Sequence, residues 1–489
     1  LRSPRASKST TTRSERPRNK AAVAGPGLRV EVIVVDNAST DLTTELLSRV
    51  SGCRVLAQTE NLHFLRGANA GAREAQGRHV LFLNNDAMLA RGSLEAACRL
   101  LDTQADAGAV GGKIVLLDGT LQEAGSIIWR DGSCAGYGRG QDPADASFQF
   151  RRDVDYCSGA FLMVRRSLFE SLAGFDPLFA PAYYEDTDLC MRIRGAGFRV
   201  VYEPAVQVTH FEFGSAPSSD SAAHLMERHR MLFAKRHAQA LVDGHRSRLD
   251  GELLARMRKG ARASVLVIDD QVPIPSLGAG NPRACDLVNA LHRAGAVISH
   301  YPTASPTCDA AAASRLLPPE LECVTGPQRP ALTDFLRSRA GLFDMVVISR
   351  PHNMRTFLNC CEAVPAFLAG VRVVYDAEAT FSTREALRRN VLKLGREGTQ
   401  SADAMTPAIE LKLARGAAVV FAVSEADARS FRDAGCQDVR VLGHSLEPAP
   451  ADIGFEGRQN FLFVGRLDEE DSPNADSIRW FVREVMPRL

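Results

Sequence analysis

The stretch from Val80 to Asp86 reads Val-Leu-Phe-Leu-Asn-Asn-Asp, so four apolar residues run directly into a polar cluster that ends in a carboxylate. A short apolar run bounded by polar residues is typical of a strand that is covered on both faces. Ligands of open α/β sheets bind beyond the carboxyl ends of such strands, so we expect Asp86 to face a pocket. A carboxylate there is a suitable ligand for Mg²⁺ or Mn²⁺, together with diphosphate oxygens. The alternative is an ordinary Asn/Asp turn after a strand.

The length of 489 residues predicts two to four domains at about 150 residues each. Lysine and arginine total 59 against 58 for aspartate and glutamate, and this balance gives no electrostatic case for a nucleic-acid partner. The 11 cysteines include no C-x-x-C pair, which argues against a disulfide framework and a structural zinc site. A reducing, cytoplasmic location is the expectation that fits this pattern. No run reaches the roughly eighteen apolar residues of a membrane span.

Residues 1–27 carry basic side chains among Ser, Thr and Pro, with almost no large apolar residues. We predict that this segment is a disordered tail. Peripheral contact of the basic tail with an anionic membrane, such as the inner face of the cell membrane, is the alternative. The chain opens with Leu1 rather than Met, which we take as an indication of a fragment.

From Val30 onward, strands and helices alternate with polar turns, which predicts a largely parallel sheet with right-handed crossovers. The pattern predicts a strand at Val30–Val35, a helix at Ser39–Val50 and a strand at Arg54–Gln58. A loop at Glu60–Gly71 then leads into a helix.

The segment Tyr183–Asp188 holds three carboxylates in four positions, directly before the predicted helix Leu189–Arg194. Carboxylates at the amino end of a helix are favoured by its dipole, so capping is the alternative to a catalytic role. The predicted short strand Val206–His210 ends in a histidine, and a single histidine of this kind is most often structural. Residues 215–262 are predicted to form a closing helix and a linker.

A second α/β unit is predicted to begin at Ser264–Asp270, with later strands at Met345–Ile348, Val371–Tyr375 and Ala418–Val423. Phe461–Arg466 and the helix predicted over residues 474–485 then open a third sheet of Rossmann type. One strand and one helix cannot bury a core of their own, so we expect this end to dock weakly or to remain mobile.

Five motifs occur in order over about 180 residues. They are Val35–Asp41, Asn61–Gly71, Leu83–Asp86, Gly174–Asp176 with Tyr184–Arg192, and Pro204–His210. With these motifs, residues 30–212 resemble family-2 glycosyltransferases, the inverting enzymes of GT-A fold, and especially their rhamnosyltransferase-like branch.

This resemblance implies a role for each motif. A donor-binding set contacts the nucleotide sugar, and within it Asn84 and Asp86 form a variant D-x-D site for metal and diphosphate. His210 becomes a second metal ligand beside Asp86, and the metal is Mg²⁺ or Mn²⁺. Asp186, with Glu185 beside it, is the catalytic base. The donor-binding set comprises Asp36, Asn37, Ser39, Asn61, Asn69, Asn84 and Asp86.

Two features depart from the family pattern. His63 stands where the family usually has glycine, which affects how the backbone approaches the donor. The family's first strand and nucleotide-binding loop should precede Val30 by about thirty residues, and residues 1–27 do not supply them. We therefore expect residues 28–214 to form a family-2-like domain that lacks its first strand.

A second set of motifs begins at Ser264. The motifs are Ile268–Pro273 with Gly278–Arg283, Val374–Glu378, Val423–Glu425, and Phe463–Arg466 with Pro473–Asn474. With them the sequence resembles family-4 glycosyltransferases of GT-B fold, which are retaining and need no metal. The resemblance implies an N-terminal Rossmann domain at residues 263–450 and the start of a second one at 458–489. A phosphoreceiver domain is the alternative, but it needs an aspartate where this chain has Ser349.

Together, these features predict an α/β glycosyltransferase with a GT-A domain followed by a GT-B-like part. We expect it to move a sugar from a nucleotide-diphospho-sugar to a hydroxyl of a glycan or lipid-linked acceptor, with inversion, in cell-surface polysaccharide biosynthesis. The alternative is a non-catalytic glycan-binding or scaffold protein. Release of nucleoside diphosphate separates the two classes.

Overall fold

The computed structural model describes residues 27–211, 219–256, 262–275, 280–304, 315–378, 405–445, 454–457, 461–465 and 472–489, with single residues at 313, 380, 382, 448, 467 and 470. The predicted disordered tail therefore lies outside the described residues, apart from Gly27. The chain divides into two compact units. The first comprises the described residues of Leu1–Pro143 and Arg152–Glu252, and the second those of Ala144–Arg151 and Leu253–Leu489.

The first unit combines short strands with helices. Its strands are β1 (Ile33–Asp36), β2 (Arg54–Ala57), β3 (His79–Leu83), β4 (Ala87–Leu89), β5 (Ala107–Leu116), β6 (Leu121–Ala124), β7 (Ser126–Ile128), β8 (Cys134–Gly136), β9 (Arg152–Asp153), β10 (Phe161–Arg165) and β11 (Arg199–His210). Its helices are α1 (Thr43–Ser48), α2 (His63–Arg73), α3 (Ser93–Thr103), α4 (Arg166–Ser171), α5 (Glu185–Gly195), α6 (Ser219–Arg236) and α7 (Ala238–Gly244).

The main sheet of this unit is mixed, and the prediction of a largely parallel sheet is wrong here. The strand order is β3-β10-β5-β11-β4, with β6 paired to β5 and β9 to β11. Only the β5–β11 pair is parallel within this order, while β10 runs antiparallel to both of its neighbours. An apolar run indicates that a strand is buried but not in which direction it runs, so the sequence pattern could not predict this reversal.

Helix α3 packs on this sheet through an apolar stripe. Leu94, Ala97, Leu100 and Leu101 follow helical spacing and are buried against β5, β10 and β11. Full burial of a leucine contributes about 1.5–3 kcal/mol. The stripe therefore holds the strands whose ends carry the predicted site residues.

Several element boundaries differ from the predictions. Helix α1 begins at Thr43 rather than Ser39, because Asp41 Oδ1 accepts from Thr43 N and forms a turn that precedes the helix. Helix α2 begins at His63, so most of the predicted loop Glu60–Gly71 is helical. Strand β11 extends back to Arg199, well before the predicted short strand.

The second unit contains a sheet of seven parallel strands. These are β12 (Ser264–Asp269), β13 (Val297–Pro302), β14 (Glu322–Cys323), β15 (Met345–Ser349), β16 (Arg372–Glu378), β17 (Val419–Ala422) and β18 (Val439–Val441). The helices are α8 (Glu252–Ala255), which begins at the boundary, α9 (Gly280–Arg293), α10 (Leu332–Ser338), α11 (Pro351–Ala363), α12 (Pro407–Ala414), α13 (Glu425–Asp433) and α14 (Pro473–Trp480).

The strand order of this sheet is β14-β13-β12-β15-β16-β17-β18. Counted along the chain, the order is three, two, one, four, five, six, seven, which is the arrangement of doubly wound α/β sheets. The prediction of a second α/β unit is confirmed. The sequence signal was strong here because strands buried on both faces read as continuous apolar runs.

The predicted strand Phe461–Arg466 is wrong within the described residues 461–465, where no strand forms. Phe461, Leu462 and Val464 are 72%, 87% and 85% exposed, although the ring of Phe461 contacts that of Phe481 with centroids 5.5 Å apart. An extended apolar segment without a neighbouring strand cannot form ladder hydrogen bonds. In the described part of the chain, no helix has the length and apolar character needed to cross a membrane.

Candidate active site

The carboxylate of Asp86 and the imidazole of His210 lie side by side, with Asp86 Oδ1 3.1 Å from His210 Nε2. Strand β3 leads to the first residue and β11 ends on the second. The short strand β4 pairs antiparallel with the end of β11, and its Ala87 lies opposite His210. Asn84 joins the pair, with Nδ2 3.3 Å from the same Nε2. The structure therefore brings together all three residues predicted at the metal and diphosphate site.

The second ring nitrogen of His210 defines where the imidazole proton lies. Nδ1 is 2.7 Å from Gln122 Oε1, an acceptor, so Nδ1 carries the proton and donates it. Nε2 is then an acceptor, which agrees with its contact to the donor Nδ2 of Asn84. It also faces Asp86 Oδ1, a second acceptor. Two acceptors at this distance attract a positive charge, either a proton on Nε2 or a metal ion, so the arrangement suits a cation.

The geometry of this pair fits a small divalent ion. Two neighbouring ligands of an octahedral ion, each about 2.1 Å from it, lie about 3.0 Å apart. Asp86 and His210 present one oxygen and one nitrogen at 3.1 Å. No group of three or more His, Cys, Asp and Glu side chains that could hold a metal ion is found in the described chain. The protein would thus supply two ligands and leave the other positions to water and substrate oxygens.

Asp186 lies in the first turn of α5, which begins at Glu185 and not at Leu189 as predicted. Its Oδ2 accepts from Gly159 N at 2.8 Å, and its Oδ1 accepts from Thr187 N at 2.6 Å. Burial raises the pKa of Asp186 above its ordinary value, although these hydrogen bonds oppose the change. A fixed carboxylate with a raised pKa is suited to accept a proton.

Glu185 is a second acid at this helix start, and it is only 5% exposed. Its Oε2 has no hydrogen-bond partner among the described residues. Burial first, and then the charge of Asp186, raise the pKa of Glu185 well above its ordinary value. These effects favour the neutral acid, so Glu185 adds little negative charge beside Asp186.

The candidate base Asp186 and the Asp86 motif are both hydrogen-bonded to the turn that enters β10. Gly159 N donates to Asp186, and Ala160 O accepts from Asn84 N at 3.3 Å. Two consecutive residues of one turn therefore contact both parts of the site. A Cβ at position 159 would lie 3.7 Å from Asp186 Oδ2 and 3.4 Å from Phe64 Cζ, so the glycine leaves space beside the carboxylate.

Glu123 on β6 is an ionisable residue of this site that the sequence analysis did not identify. Its Oε1 accepts from Ser158 N at 3.1 Å and its Oε2 from Ser126 Oγ at 2.8 Å. Burial raises the pKa of Glu123 to about 7, and the charge of Asp186 adds to this increase. Nothing in the short segment Leu-Gln-Glu-Ala signals a buried acid, because glutamate is mostly exposed in folded proteins.

The donor-binding prediction begins at the end of β1, where Asp36 is buried. Its Oδ1 accepts from Ser39 N at 3.0 Å and its Oδ2 from Thr44 Oγ1 at 2.9 Å. Hydrogen bonds from Ser39 first, and then from Thr44, lower the pKa of Asp36. Asp36 therefore holds the turn that leaves Ser39 exposed.

Asn37 and Asn61 both contact the backbone of His63. Asn61 Oδ1 accepts from His63 N at 2.8 Å, and Asn37 Nδ2 donates to His63 O at 3.2 Å. Asn37 Oδ1 is buried and has no hydrogen-bond partner in the described chain. His63 itself has φ 55°, a left-handed conformation that glycine adopts most readily. The position where the family usually has glycine thus has a glycine-like backbone.

Asn69 is engaged elsewhere in the fold. Its Nδ2 donates to Phe175 O and its Oδ1 accepts from Phe175 N, so both amide atoms bind the turn before α5. The structure does not bring this side chain to Asp86 or His210. Its predicted contact with the donor stays a prediction.

Three non-glycine residues with positive φ lie beside these motifs. Tyr183 and Tyr184, at φ 72° and 71°, directly precede α5, and Ala38 has φ 57° in the turn after β1. Each such residue costs on the order of 1–3 kcal/mol and persists only where its surroundings hold it. Tyr184 is held by a hydrogen bond from its hydroxyl to Gly132 O at 3.0 Å. The strained positions therefore lie beside the predicted base and donor motifs.

The family model described as Glycosyl transferase family 2 matches residues 18–173. This range contains β1 to β10, including Asp86 and Glu123, and it ends before α5. The match covers about a third of the chain.

Two relatives are matched over less than a quarter of their own length. The chain is 27% identical to the uncharacterized protein y4gI of Sinorhizobium fredii over 39% of this chain and 22% of that protein. It is 31% identical to the O-antigen biosynthesis protein RfbC of Myxococcus xanthus over 38% of this chain and 15% of that protein.

A third relative is matched over most of its length. The chain is 30% identical to the N-acetylglucosaminyl-diphospho-decaprenol L-rhamnosyltransferase of Mycobacterium tuberculosis, over 48% of this chain and 85% of that protein. The aligned 263 residues extend well beyond the range that the family model matches. With this coverage and the family match at residues 18–173, the chain belongs to glycosyl transferase family 2.

Proposed function

We propose that the first unit has the GT-A fold and transfers a sugar from a nucleotide-diphospho-sugar to a hydroxyl of a glycan or lipid-linked acceptor, with inversion. The observation that carries this proposal is the turn Gly159-Ala160, which contacts Asp186 on one side and the Asp86 motif, through Asn84, on the other. An inverting transfer needs a base and a stabilised leaving group close together.

At the leaving-group end, Asp86 and His210 would hold Mg²⁺ or Mn²⁺, with Asn84 beside them. When bound, this ion neutralises charge on the departing nucleoside diphosphate. Exposed Ser39 and the unpartnered Asn37 Oδ1 would meet the donor at the end of β1. Asp36 and Asn61 would act by shaping the two turns on which these groups lie.

At the acceptor end, Asp186 would accept the hydroxyl proton as the acceptor oxygen bonds to the anomeric carbon. The bond to the diphosphate oxygen breaks with its electron pair on that oxygen, and the single displacement inverts the configuration. Hydrogen bonds from Gly159 N and Thr187 N hold the carboxylate orientation. Glu185 would stand beside it as a neutral acid. A general base contributes about 10²- to 10⁴-fold in rate.

The names of the relatives support a polysaccharide context. One is named for a diphospho-decaprenol acceptor and another for O-antigen biosynthesis. A lipid-linked acceptor would bring the reaction to a membrane surface, so peripheral membrane contact and a cytoplasmic location are parts of the proposal. No nucleic-acid partner is included, because Lys plus Arg and Asp plus Glu nearly balance at 59 and 58.

For the second unit, we propose a GT-B-like N-terminal Rossmann domain at residues 263–450, joined through the segment 215–262 to the first domain at 28–214. The parallel sheet and its strand order support this proposal. Asp269 ends β12 and Asp270 directly follows it, at the point where the strand order reverses, which is where doubly wound sheets bind ligands.

The proposed function is tested by incubating the chain with a panel of nucleotide-diphospho-sugars and MnCl₂ and measuring the nucleoside diphosphate released. We expect release from one donor by the unmodified chain and its loss in Asp186→Asn. A chain that binds a nucleotide sugar in a thermal-shift assay but releases no diphosphate with any donor or acceptor would be the non-catalytic binding protein instead.

A further inference from the structure

Gln122 has a buried side-chain amide that contacts His210 of the Asp86–His210 pair, at the ring nitrogen that does not face Asp86. It is 9% exposed, and its Oε1 lies 2.7 Å from His210 Nδ1. Neither the family resemblance nor the sequence pattern assigned it a role. In the described chain, its side chain forms no hydrogen bond with Asp86 or Asn84. Any effect on the cation site must therefore act through His210.

The backbone at Gln122 is irregular in a way that directs its side chain. Strand β6 pairs with β5 through Glu123 opposite Ile114 and through Leu121 opposite Val115, so Gln122 is an extra residue without a partner in the ladder. A bulge of this kind bends the strand and redirects a side chain, and bulges are frequent beside active sites. Because β5 also pairs with β11, the redirected amide can reach His210.

A close contact with β8 fixes this bulge. A Cβ at Gly136 would lie 2.7 Å from Gln122 O and 3.0 Å from Glu123 Cβ. The glycine lets β8 approach to a distance that no other residue permits. The bulge is thus packed against a neighbouring strand, which limits the movement of the Gln122 amide.

The contacts of His210 with Asn84 and Gln122 favour the tautomer that carries its proton on Nδ1. Asn84 Nδ2 can only donate, and it lies 3.3 Å from Nε2, so Nε2 carries the lone pair. The proton is then on Nδ1, where Gln122 Oε1 accepts it. A histidine that binds a metal usually donates its other ring N–H to such an acceptor, which fixes the tautomer and the ring orientation.

We propose that Gln122 is a positioning residue of the cation site. Its amide oxygen fixes His210 in the Nδ1-protonated tautomer, so that the Nε2 lone pair points to the ion that Asp86 also binds. The inference rests on the proposed function, since it requires that the Asp86–His210 pair holds a divalent cation. It adds a residue from β6, far in sequence from both ligands.

The test measures Mn²⁺ affinity, with unbound Mn²⁺ quantified by electron paramagnetic resonance. Gln122→Leu removes the acceptor and should weaken Mn²⁺ binding about 10- to 100-fold. Gln122→Glu keeps an acceptor at the same position and should bind Mn²⁺ within about threefold of the unmodified chain. Gln207→Leu, an exposed position on the same strand as His210, is the matched control and should not change the affinity.

Thermal melting checks that each variant is folded, and Gln122→Asn replaces Gln122→Leu if the latter does not fold, because the shorter amide also loses the contact. Unchanged Mn²⁺ affinity in these variants, with loss of binding in Asp86→Ala, would overturn the role of Gln122 alone. If the unmodified chain binds no Mn²⁺, or if Asp86→Ala and His210→Ala bind it normally, the proposed cation site fails and this inference fails with it.

Discussion

The side-chain amide of Asn69 exchanges two hydrogen bonds with the backbone of Phe175, donating to its carbonyl at 2.8 Å and accepting from its N–H at 3.0 Å. These two hydrogen bonds join helix α2 to the segment between α4 and α5, across 106 residues of sequence. Gly174 makes it possible, because a Cβ there would lie 2.7 Å from Asn69 Oδ1. Phe175 is fully buried against Phe82, with ring centroids 4.6 Å apart.

Asn69→Leu should therefore reduce stability more than donor binding. Loss of both hydrogen bonds leaves the Phe175 backbone groups unpaired and should cost about 2 kcal/mol, or roughly 4–8 °C in Tm. Thermal melting and nucleotide-sugar titration measure the two effects, and Gln76→Leu, at an exposed position just after α2, is the comparison. Loss of donor affinity at unchanged Tm would instead support the donor contact that the family resemblance implies.

Substitutions of the two acids of the proposed mechanism should have different effects on donor binding and on sugar transfer. Asp86→Ala removes a cation ligand and should abolish metal-dependent donor binding. Asp186→Asn should keep the donor affinity within about twofold and reduce kcat by about 10²- to 10⁴-fold, since only proton transfer is affected. Calorimetry and single-turnover assays measure these effects.

Asp243→Asn, an exposed change on α7, serves as the control for both variants. If Asp186→Asn lost donor affinity as severely as Asp86→Ala, the assignment of Asp186 as the base would be wrong.

Glu123 should make the first unit less stable as the pH rises through neutrality. Its pKa is raised from 4.5 to about 7 by burial, so the folded state binds more protons than the unfolded state between these values. The stabilisation is fully present below pH 4.5 and is lost by about pH 7, with a magnitude on the order of 3 kcal/mol. Chemical denaturation at pH 5 and pH 8 measures this difference.

Glu123→Gln should reduce the pH dependence, because the amide does not titrate. A residual decrease remains in this variant, since Asp186 and Glu185 also have raised pKa values. Glu227→Gln, an exposed change on α6, should behave like the unmodified chain. Identical pH dependence in Glu123→Gln and the unmodified chain would show that Glu123 is ionised at both pH values.

The sequence predicted the end of β3 well, because an apolar run that ends in polar residues is a local signal. Bringing Asp86 within 3.1 Å of His210 depends on β4 pairing with the end of β11, and local pattern does not encode that pairing. Only the family resemblance predicted it. Gln122 and Glu123 were missed because their roles depend on one bulge and on burial from neighbouring strands.

Helix α2 shows a second reason for error. The segment was predicted to be a loop, and Gly67 and Gly71 indeed lower its helix propensity. In the fold, a Cβ at Gly67 would lie 3.1 Å from Asn37 Nδ2, and one at Gly71 would lie 3.0 Å from Val35 Cγ2. The glycines allow the helix to approach β1 closely, and tertiary packing overrides their unfavourable propensity.

The backbone at His63 gives a prediction for the same helix. At φ 55° a residue with a Cβ is strained, and His63→Gly should raise stability by about 1 kcal/mol. The contacts with Asn37 and Asn61 should survive, because both use the backbone of His63. Urea denaturation measures the gain, and His63→Ala, which keeps the Cβ, should show none. A loss of stability in His63→Gly would mean that the imidazole itself supports the turn.

In the second unit, Arg283 and Asp376 form a buried, two-fold hydrogen-bonded ion pair that joins α9 to β16. Both guanidinium–carboxylate distances are 2.7 Å, and the side chains are 3% and 1% exposed. Arg283→Met leaves the carboxylate buried without its partner and should destabilise the unit by about 3–5 kcal/mol. Hydrogen exchange measured by mass spectrometry should show faster exchange in peptides from β12, β15 and β16, with β5 and β11 as internal controls.

The double variant Arg283→Met, Asp376→Leu removes both charges and should recover most of the lost protection, because replacing a whole buried pair by apolar side chains is close to neutral. The arginine also donates from Nε to Leu442 O at 2.9 Å, so recovery should be incomplete near β18. If the double variant were as unprotected as Arg283→Met, the arginine would stabilise the sheet through packing and the Leu442 contact, and charge pairing with Asp376 would not be the cause.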